Sequence, residues 1–272
     1  MNSLRIAGIS LLACLGASSA LAADIPVMPT KAPRIVEVVY NWTGFYIGAN
    51  AGYGWSRDRN VTFSNITGTL VSPGGVPGAV VFDAKGGLAG GQFGYNMQSG
   101  AFLLGIEADA DWANISGRAT AFGLIDTRRS ATGESKLDFF STLRGRLGLV
   151  QDRFLGYLTG GLAVGHVKSA ASFSNTDGCT FPGGGANQCP TGSGSKTLFG
   201  YTLGGGVEFA FDRNWSIKGE YLYYNLGSVS YTLADANFPG VTYGATTDNF
   251  RGHIIRGGIN YRFDSGPVVA RY

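Results

Sequence analysis

Charged residues recur at alternate positions in this chain of 272 residues. Glu107, Asp109 and Asp111 share one parity, as do Arg144 and Arg146, and as do Lys218 and Glu220; Glu208, Arg256 and Arg262 stand in similar settings. A spacing of two puts side chains on one face of a strand. Five carboxylates and five cations on such faces have one evident chemistry, which is to pair, because an unpaired ion in a confined interior is costly. Other reactive residues are few. His166 and His253 are the two histidines, and their segments are too far apart in order to converge on one ligand. Serine catalysis needs a Ser–His–acid contact, and no spacing suggests one. The glycine runs Gly183–Gly185 and Gly204–Gly206 open no helix, so they are not phosphate loops. Cys179 and Cys189 lie in a Gly-, Ser-, Pro- and Asn-rich stretch. In an exported chain they suggest one loop-closing disulfide, worth about 2–3 kcal/mol; a metal site would need more ligands nearby. This reading assigns no catalytic, cofactor-binding or metal-binding residue.

The elements that carry these charges are strands. In "NWTGFYIGANAGYGWS" (Asn41–Ser56) the residues Phe45, Ile47, Ala49, Ala51, Tyr53 and Trp55 alternate with Tyr46, Gly48, Asn50, Gly52 and Gly54. That is the period of a strand with one apolar face. Eight such segments follow from the pattern: Gly44–Ser56, Gly86–Gln98, Phe102–Ile115, Asp138–Val150, Phe154–Lys168, Leu198–Phe211, Trp215–Gly227 and Arg251–Phe263. Short links near Gly100, Asp152 and Arg213 alternate with long polar ones through Thr62–Val81, Arg118–Ser135, Ser172–Ser195 and Tyr231–Asn249. An even number of strands with turns at one end and loops at the other is the layout of an outer-membrane barrel. A soluble sandwich also shows short strands with turn signals, so the faces must decide.

Three features favour the barrel. Aromatics stand at both ends of the apolar faces: Phe45 and Trp55, Phe102 and Trp112, Phe199 and Phe211, Trp215 and Tyr223, with Tyr261 and Phe263 closing the last. Between them lie small residues such as Ala49, Ala108 and Gly145, the arrangement of two interfacial girdles around a lipid band. The opposite faces are rich in glycine, as a narrow interior requires. The charges of those faces balance: Glu107, Asp109, Asp111, Glu208 and Glu220 against Arg144, Arg146, Lys218, Arg256 and Arg262. In the fifth segment Leu158, Leu162 and Val164 are expected outward and Tyr157 and Thr159 inward. The expectation is an all-β fold, an eight-stranded antiparallel up-and-down transmembrane β-barrel with short periplasmic turns and long extracellular loops.

The ends of the chain agree with export. Arg5, the apolar run Ile6–Leu15 and the small-x-small site Ala20-Leu21-Ala22 read as a secretory signal cut after Ala22. A short membrane anchor and a lipoprotein signal at Cys14 are the alternatives. Cleavage removes Arg5 and leaves 20 basic against 18 acidic residues. A net charge this small, with no basic cluster, argues against nucleic-acid binding, and no later apolar run is long enough for a membrane helix. The expected parts are a signal peptide (1–22), a periplasmic lead-in (23–40), the barrel (41–263) and a periplasmic tail (264–272).

"YNWTGFYIGANAGYGWS" (Tyr40–Ser56), "LRGRLGLV" (Leu143–Val150), "YLTGGLAVG" (Tyr157–Gly165) and "GGINYRF" (Gly257–Phe263) resemble the small outer-membrane immunogenic proteins, the porin-like barrels of alphaproteobacteria. The resemblance spans nearly the whole mature chain. It implies an eight-stranded barrel of the OmpA/OmpX type, abundant in the outer membrane of a Gram-negative bacterium. It also implies contact with outer-membrane lipid and lipopolysaccharide, a role in envelope integrity and exposure as a surface antigen. "RGGINYRF" (Arg256–Phe263) resembles the last-strand signal read by outer-membrane assembly machinery, although Asp264–Tyr272 follows it. Three functions stand side by side: a structural barrel plugged by its charges, a small-conductance porin whose interior glycines leave a water thread, and a loop-borne binder of haem or host surfaces. No cofactor is assigned, and an enzyme is the least supported class.

Overall fold

The computed structural model describes residues 40–65, 77–123, 127–175, 190–234 and 242–263. The signal with Ala20 and Ala22, the Cys179–Cys189 pair and the tail 264–272 lie outside these residues. Ten strands follow in chain order: β1 (Gly44–Asn65), β2 (Ala79–Ser99), β3 (Phe102–Phe122), β4 (Arg129–Gln151), β5 (Phe154–Asn175), β6 (Thr191–Ala210), β7 (Trp215–Asn225), β8 (Ser230–Ala234), β9 (Thr242–Thr247) and β10 (Arg251–Arg262). They form one antiparallel sheet that closes where β10 pairs with β1, from Tyr46↔Arg262 to Trp55↔His253. The chain runs through eight staves. The seventh is β7 continued by β8, and the eighth is β9 continued by β10, each interrupted once.

Tight turns join the staves at one end. Gly100 and Asp152 have φ of 62° and 52° and each opens a two-residue link. Positive φ at the first linking position is the type II′ pattern, whose twist matches that of the flanking strands.

The outward face between the girdles is the apolar one. Phe45, Ile47, Phe93, Leu104, Ile106, Leu143, Leu147, Leu158, Leu162, Leu203 and Ile255 are all exposed, and Trp112 is 78% exposed. From Phe45 to Trp55 the rise is about 33 Å along the strand. At the usual barrel tilt this is about 25 Å along the membrane normal, the height of the apolar band of such barrels. All ten expected girdle residues are on this outer surface. Phe45 packs on Tyr95 at 4.7 Å between centroids and Trp215 on Tyr261 at 5.1 Å. At the other edge Trp55 stacks on His253 at 5.6 Å.

The strands are longer than the sequence pattern indicates. β1 continues to Asn65, β2 begins at Ala79, β3 reaches Phe122, β4 begins at Arg129, β5 reaches Asn175 and β6 begins at Thr191. Much of what reads as loop therefore belongs to the wall. The reason is a change of polarity along the staves. Below the upper girdle the outer face is apolar and the inner face polar. Above it Val61, Phe63, Val80, Phe82, Ala131, Ala171, Phe173, Leu233, Tyr243 and Ala245 point inward as one buried cluster, while Thr62, Ser64, Asp83, Glu134 and Ser174 face out. In β1 the switch is a bulge between Ser56 and Arg59: even-numbered residues point in before it and odd-numbered ones after it. β4 does the same between Leu137 and Phe139. One extra residue reverses the faces of everything beyond it. The wall is thus built for lipid at one level and for water above.

This polarity change predicts two opposite responses on one outer face. Ala108→Arg, between the girdles, is expected to cost about 2–4 kcal/mol. Thr120→Arg, beyond the upper girdle on the same strand, is expected to stay within about 0.5 kcal/mol. Urea titration of refolded protein in lipid vesicles reads both, and equal costs would contradict the placement of the lipid band.

Candidate functional site

The barrel interior holds the charges. β3 contributes Glu107, Asp109 and Asp111, β4 contributes Arg144 and Arg146, β6 Glu208, β7 Lys218 and Glu220, and β10 Arg256; all are buried. Glu107 is the hub. Its Oε1 meets Arg144 Nη2 at 2.5 Å, and Lys218 Nζ lies 2.9 Å from its Oε2. Arg146 Nη1 approaches the same carboxylate at 3.4 Å and sends Nη2 to Glu208 at 2.8 Å. Arg144 also reaches Asp109 and Glu220, both at 2.9 Å. Arg256 joins three acids: Glu220 at 2.7 Å, Asp109 at 2.8 Å and Asp111 at 3.0 Å. Register explains this convergence, since Glu107 lies directly across from Arg144, Glu208 from Lys218 and Glu220 from Arg256.

Neutral groups complete the network. Tyr46 donates to Glu107 Oε2 at 2.7 Å and accepts from Arg146 Nη1 at 2.7 Å. Tyr157 donates to Glu220 at 3.0 Å, and the Arg146 guanidinium lies 3.9 Å from its ring centroid. Thr142 donates to Asp109, while Ser216 and Asn260 donate to Glu208. Asn50, Gln92 and Asn260 form a chain of amides across β1, β2 and β10. Every one of these donors offsets part of the desolvation that burying nine ionised groups imposes.

Arg262 is a correction. It lies half-buried at the periplasmic rim, where Nη2 donates to the Arg213 carbonyl at 2.7 Å and the guanidinium covers the Tyr40 ring at 4.5 Å. Its parity is right, but it is the last residue of β10, beyond Arg256 and Asn260 on the same face, and so stands at the rim. The ion network therefore joins five acids to four bases, with hydroxyl and amide donors on the carboxylates as well.

Sequence reasoning missed the plugs on either side. Trp42, ahead of the first strand, is 2% exposed. Its indole donates to the Asp152 carbonyl at 3.2 Å, and its backbone N–H to Gln98 at 2.8 Å. With Tyr40, Leu103, Leu155, Tyr157 and Ala210 it closes the periplasmic mouth. Above the ions lies a second apolar layer that includes Leu88, Ile115, Leu137, Phe140, Val167, Leu222, Tyr224, Phe250 and Ile254. Two of the interior glycines face tyrosine side chains. A Cβ on Gly94 would strike the Tyr46 hydroxyl, and one on Gly206 would fall 2.7 Å from the Tyr157 hydroxyl. Each tyrosine occupies the volume its cross-strand glycine leaves, as the pairings Tyr46↔Gly94 and Tyr157↔Gly206 require. A tyrosine on an otherwise glycine-rich polar face was the available signal.

His166 and His253 both sit on the outer surface near the upper girdle and are not brought together, since β6 and β7 separate their strands. His253 Nδ1 shares a hydrogen bond with the Tyr221 hydroxyl at 2.7 Å. No group of three or more metal-ligating side chains occurs among the described residues.

A closed barrel with an apolar belt between aromatic girdles and an ionic interior is an integral outer-membrane protein. The chain belongs to the family of the outer membrane protein beta-barrel domain, which it matches over residues 10–263. It is 37% identical over 262 residues to the 31 kDa outer-membrane immunogenic protein of Brucella melitensis, a match covering 94% of this chain and 98% of that one. It is 28% identical to the 25 kDa outer-membrane immunogenic protein of Brucella abortus, covering 97% and 99%. To the 22 kDa outer membrane protein of Rhizobium leguminosarum bv. viciae it is 29% identical, covering 75% and 73%. The outer membrane is therefore its location.

Removing one partner from a buried ion cluster leaves the others uncompensated. Arg144→Met is expected to destabilise the barrel by about 3–5 kcal/mol. Arg262→Met removes one cation–π contact and one exposed hydrogen bond to a carbonyl at the rim, and about 1–2 kcal/mol is the expected loss. The midpoint of unfolding in urea, followed by the heat-modifiable gel shift, separates the two; equal effects would place Arg262 in the network after all.

Proposed function

We propose that this protein is a closed structural barrel of the outer membrane, contributing to envelope integrity and presenting its crown at the cell surface. The observation that carries the reading is the sequence of layers through the lumen: the Trp42 plug, the ion network and the apolar layer around Phe140. An eight-stranded barrel is only wide enough for side chains to fill it, and here charged groups are sealed from both ends by apolar ones. Ion passage would require Glu107 and Arg144 to part in a buried space, where their attraction is stronger than in bulk solvent.

The names of the Brucella relatives support the antigen part of this reading. The crown above the upper girdle gives it a physical basis, because its polar outer face on a rigid apolar core is a stable surface for recognition. The same reading makes the protein non-enzymatic. Arg256–Phe263 serves as the segment recognised during assembly, and the fact that β10 is the strand that closes the barrel supports this.

Refolded mature protein, Ala23–Tyr272, is expected to be electrically silent in planar bilayers while its gel shift shows it folded. Trp42→Ala, which opens the periplasmic plug alone, is expected to stay silent because the ion layer remains. Reproducible conductance steps in the unmodified protein would make it a small porin instead.

A further inference from the structure

Among the described residues the barrel wall has a seam where staves seven and eight are interrupted. β10 stops pairing with β1 at Trp55↔His253, and β9 resumes at Val61↔Thr247. The β1 bulge between Ser56 and Arg59 falls in this gap. So do Gly227, with φ of 85°, and the stretch Asp248–Phe250. Backbone bonds bridge the gap in part, from Phe250 N–H to the Gly227 carbonyl and from Asp248 N–H to the Asn60 carbonyl.

A cleft of about 410 Å³ opens there, lined by Arg57, Arg59, Arg251 and Asp248 with the hydroxyls of Ser56, Ser228, Thr246 and Thr247. A second cleft of about 390 Å³ shares Ser56, Arg57 and Arg251 and descends to Trp55, Tyr223 and His253 in the upper girdle. Arg57 and Arg251 are exposed, but Arg59 is only 7% exposed. Among the described residues its hydrogen-bond partner is the Tyr224 hydroxyl, 3.3 Å from Nη2, and its Nε has none. The Phe250 ring lies 4.1 Å from its guanidinium. A guanidinium stays charged under all ordinary conditions, and a buried one favours an anionic partner. The paired clefts are therefore amphipathic along the membrane normal, apolar and aromatic at the girdle and cationic one turn above.

We infer that this seam is a binding site for a phosphorylated lipid of the outer leaflet, of the lipid A class. Acyl chains lie against Trp55 and Tyr223, and a headgroup phosphate is taken by Arg57, Arg251 and, at the base, Arg59. The height fixes the source: the cations sit where the headgroups of the outer leaflet sit, directly above the aromatic girdle. Planar guanidinium groups match phosphate oxygens in pairs. Asp248 opposes the anion but leaves the lining with a net positive charge. The inference rests on the membrane placement alone and is independent of whether the barrel conducts.

The test uses the full mature chain in detergent micelles, titrated with diphosphoryl lipid A, with dephosphorylated lipid A and with inorganic phosphate. Diphosphoryl lipid A is expected to bind and to raise the temperature of the gel shift. Dephosphorylation is expected to weaken binding about tenfold or more, equivalent to about 1.4 kcal/mol. Arg57→Gln and Arg251→Gln, at exposed positions that leave the fold intact, are each expected to lower affinity severalfold. Arg59→Gln is expected to remove the preference for the phosphorylated lipid. Lys136→Gln, on the other side of the barrel, serves as the control and is expected to leave affinity unchanged. Equal binding of both lipids, or unchanged affinity in the Arg57 and Arg251 variants, would overturn the site. Full stabilisation by inorganic phosphate alone would overturn the lipid as its occupant.

Discussion

Closure of the sheet is the constraint on which everything else depends. The hydrocarbon layer offers no water to an open strand edge, so each backbone N–H and C=O must find a partner within the wall. The pairing of β10 with β1 supplies the last row of these bonds. Once eight staves are closed, their inward residues are forced into a lumen of fixed, small width. The charges on β3, β4, β6, β7 and β10 then meet whether or not each pair is favourable on its own. Buried ion pairs are weak evidence for stability as such. Their consequence here is geometric, since Glu107 can satisfy Arg144, Arg146 and Lys218 together only when every stave is in register.

The same closure explains the crown. A barrel leaving the membrane must exchange an apolar outside for a polar one. Two solutions are used side by side. β1 and β4 shift phase through bulges, so that alternate residues change faces. β2 keeps its phase and changes residue type instead: Val80, Phe82 and Ala84 point inward above Gly90, Gln92 and Gly94. The result is a lipid-facing barrel and a water-facing barrel on one continuous wall. Where the phase shift of β1 meets the interruptions of staves seven and eight, the wall is least regular, and that is where Arg59 and its neighbours gather.

Much of this architecture is determined by the sequence alone. Alternation with aromatic ends, even strand number, short turns at one end and charge-bearing polar faces each follow from local periodicity, and they specify a lipid-facing barrel with a paired ionic interior. Nine of the ten charges could be assigned to the interior because parity is a local property. Three things needed the tertiary structure. The length of the strands was hidden because the apolar face turns inward above the girdle, and a bulge breaks the period where the faces exchange. Arg262 was misplaced because parity says which face a residue occupies but not its height, which depends on the shear of the closed barrel. The plugs at Trp42 and Phe140, and the seam at Arg59, join residues far apart along the chain, as the contacts of Arg59 with Phe250 and of Phe140 with Tyr224 do. Only closure brings such residues within reach, and no local pattern encodes it.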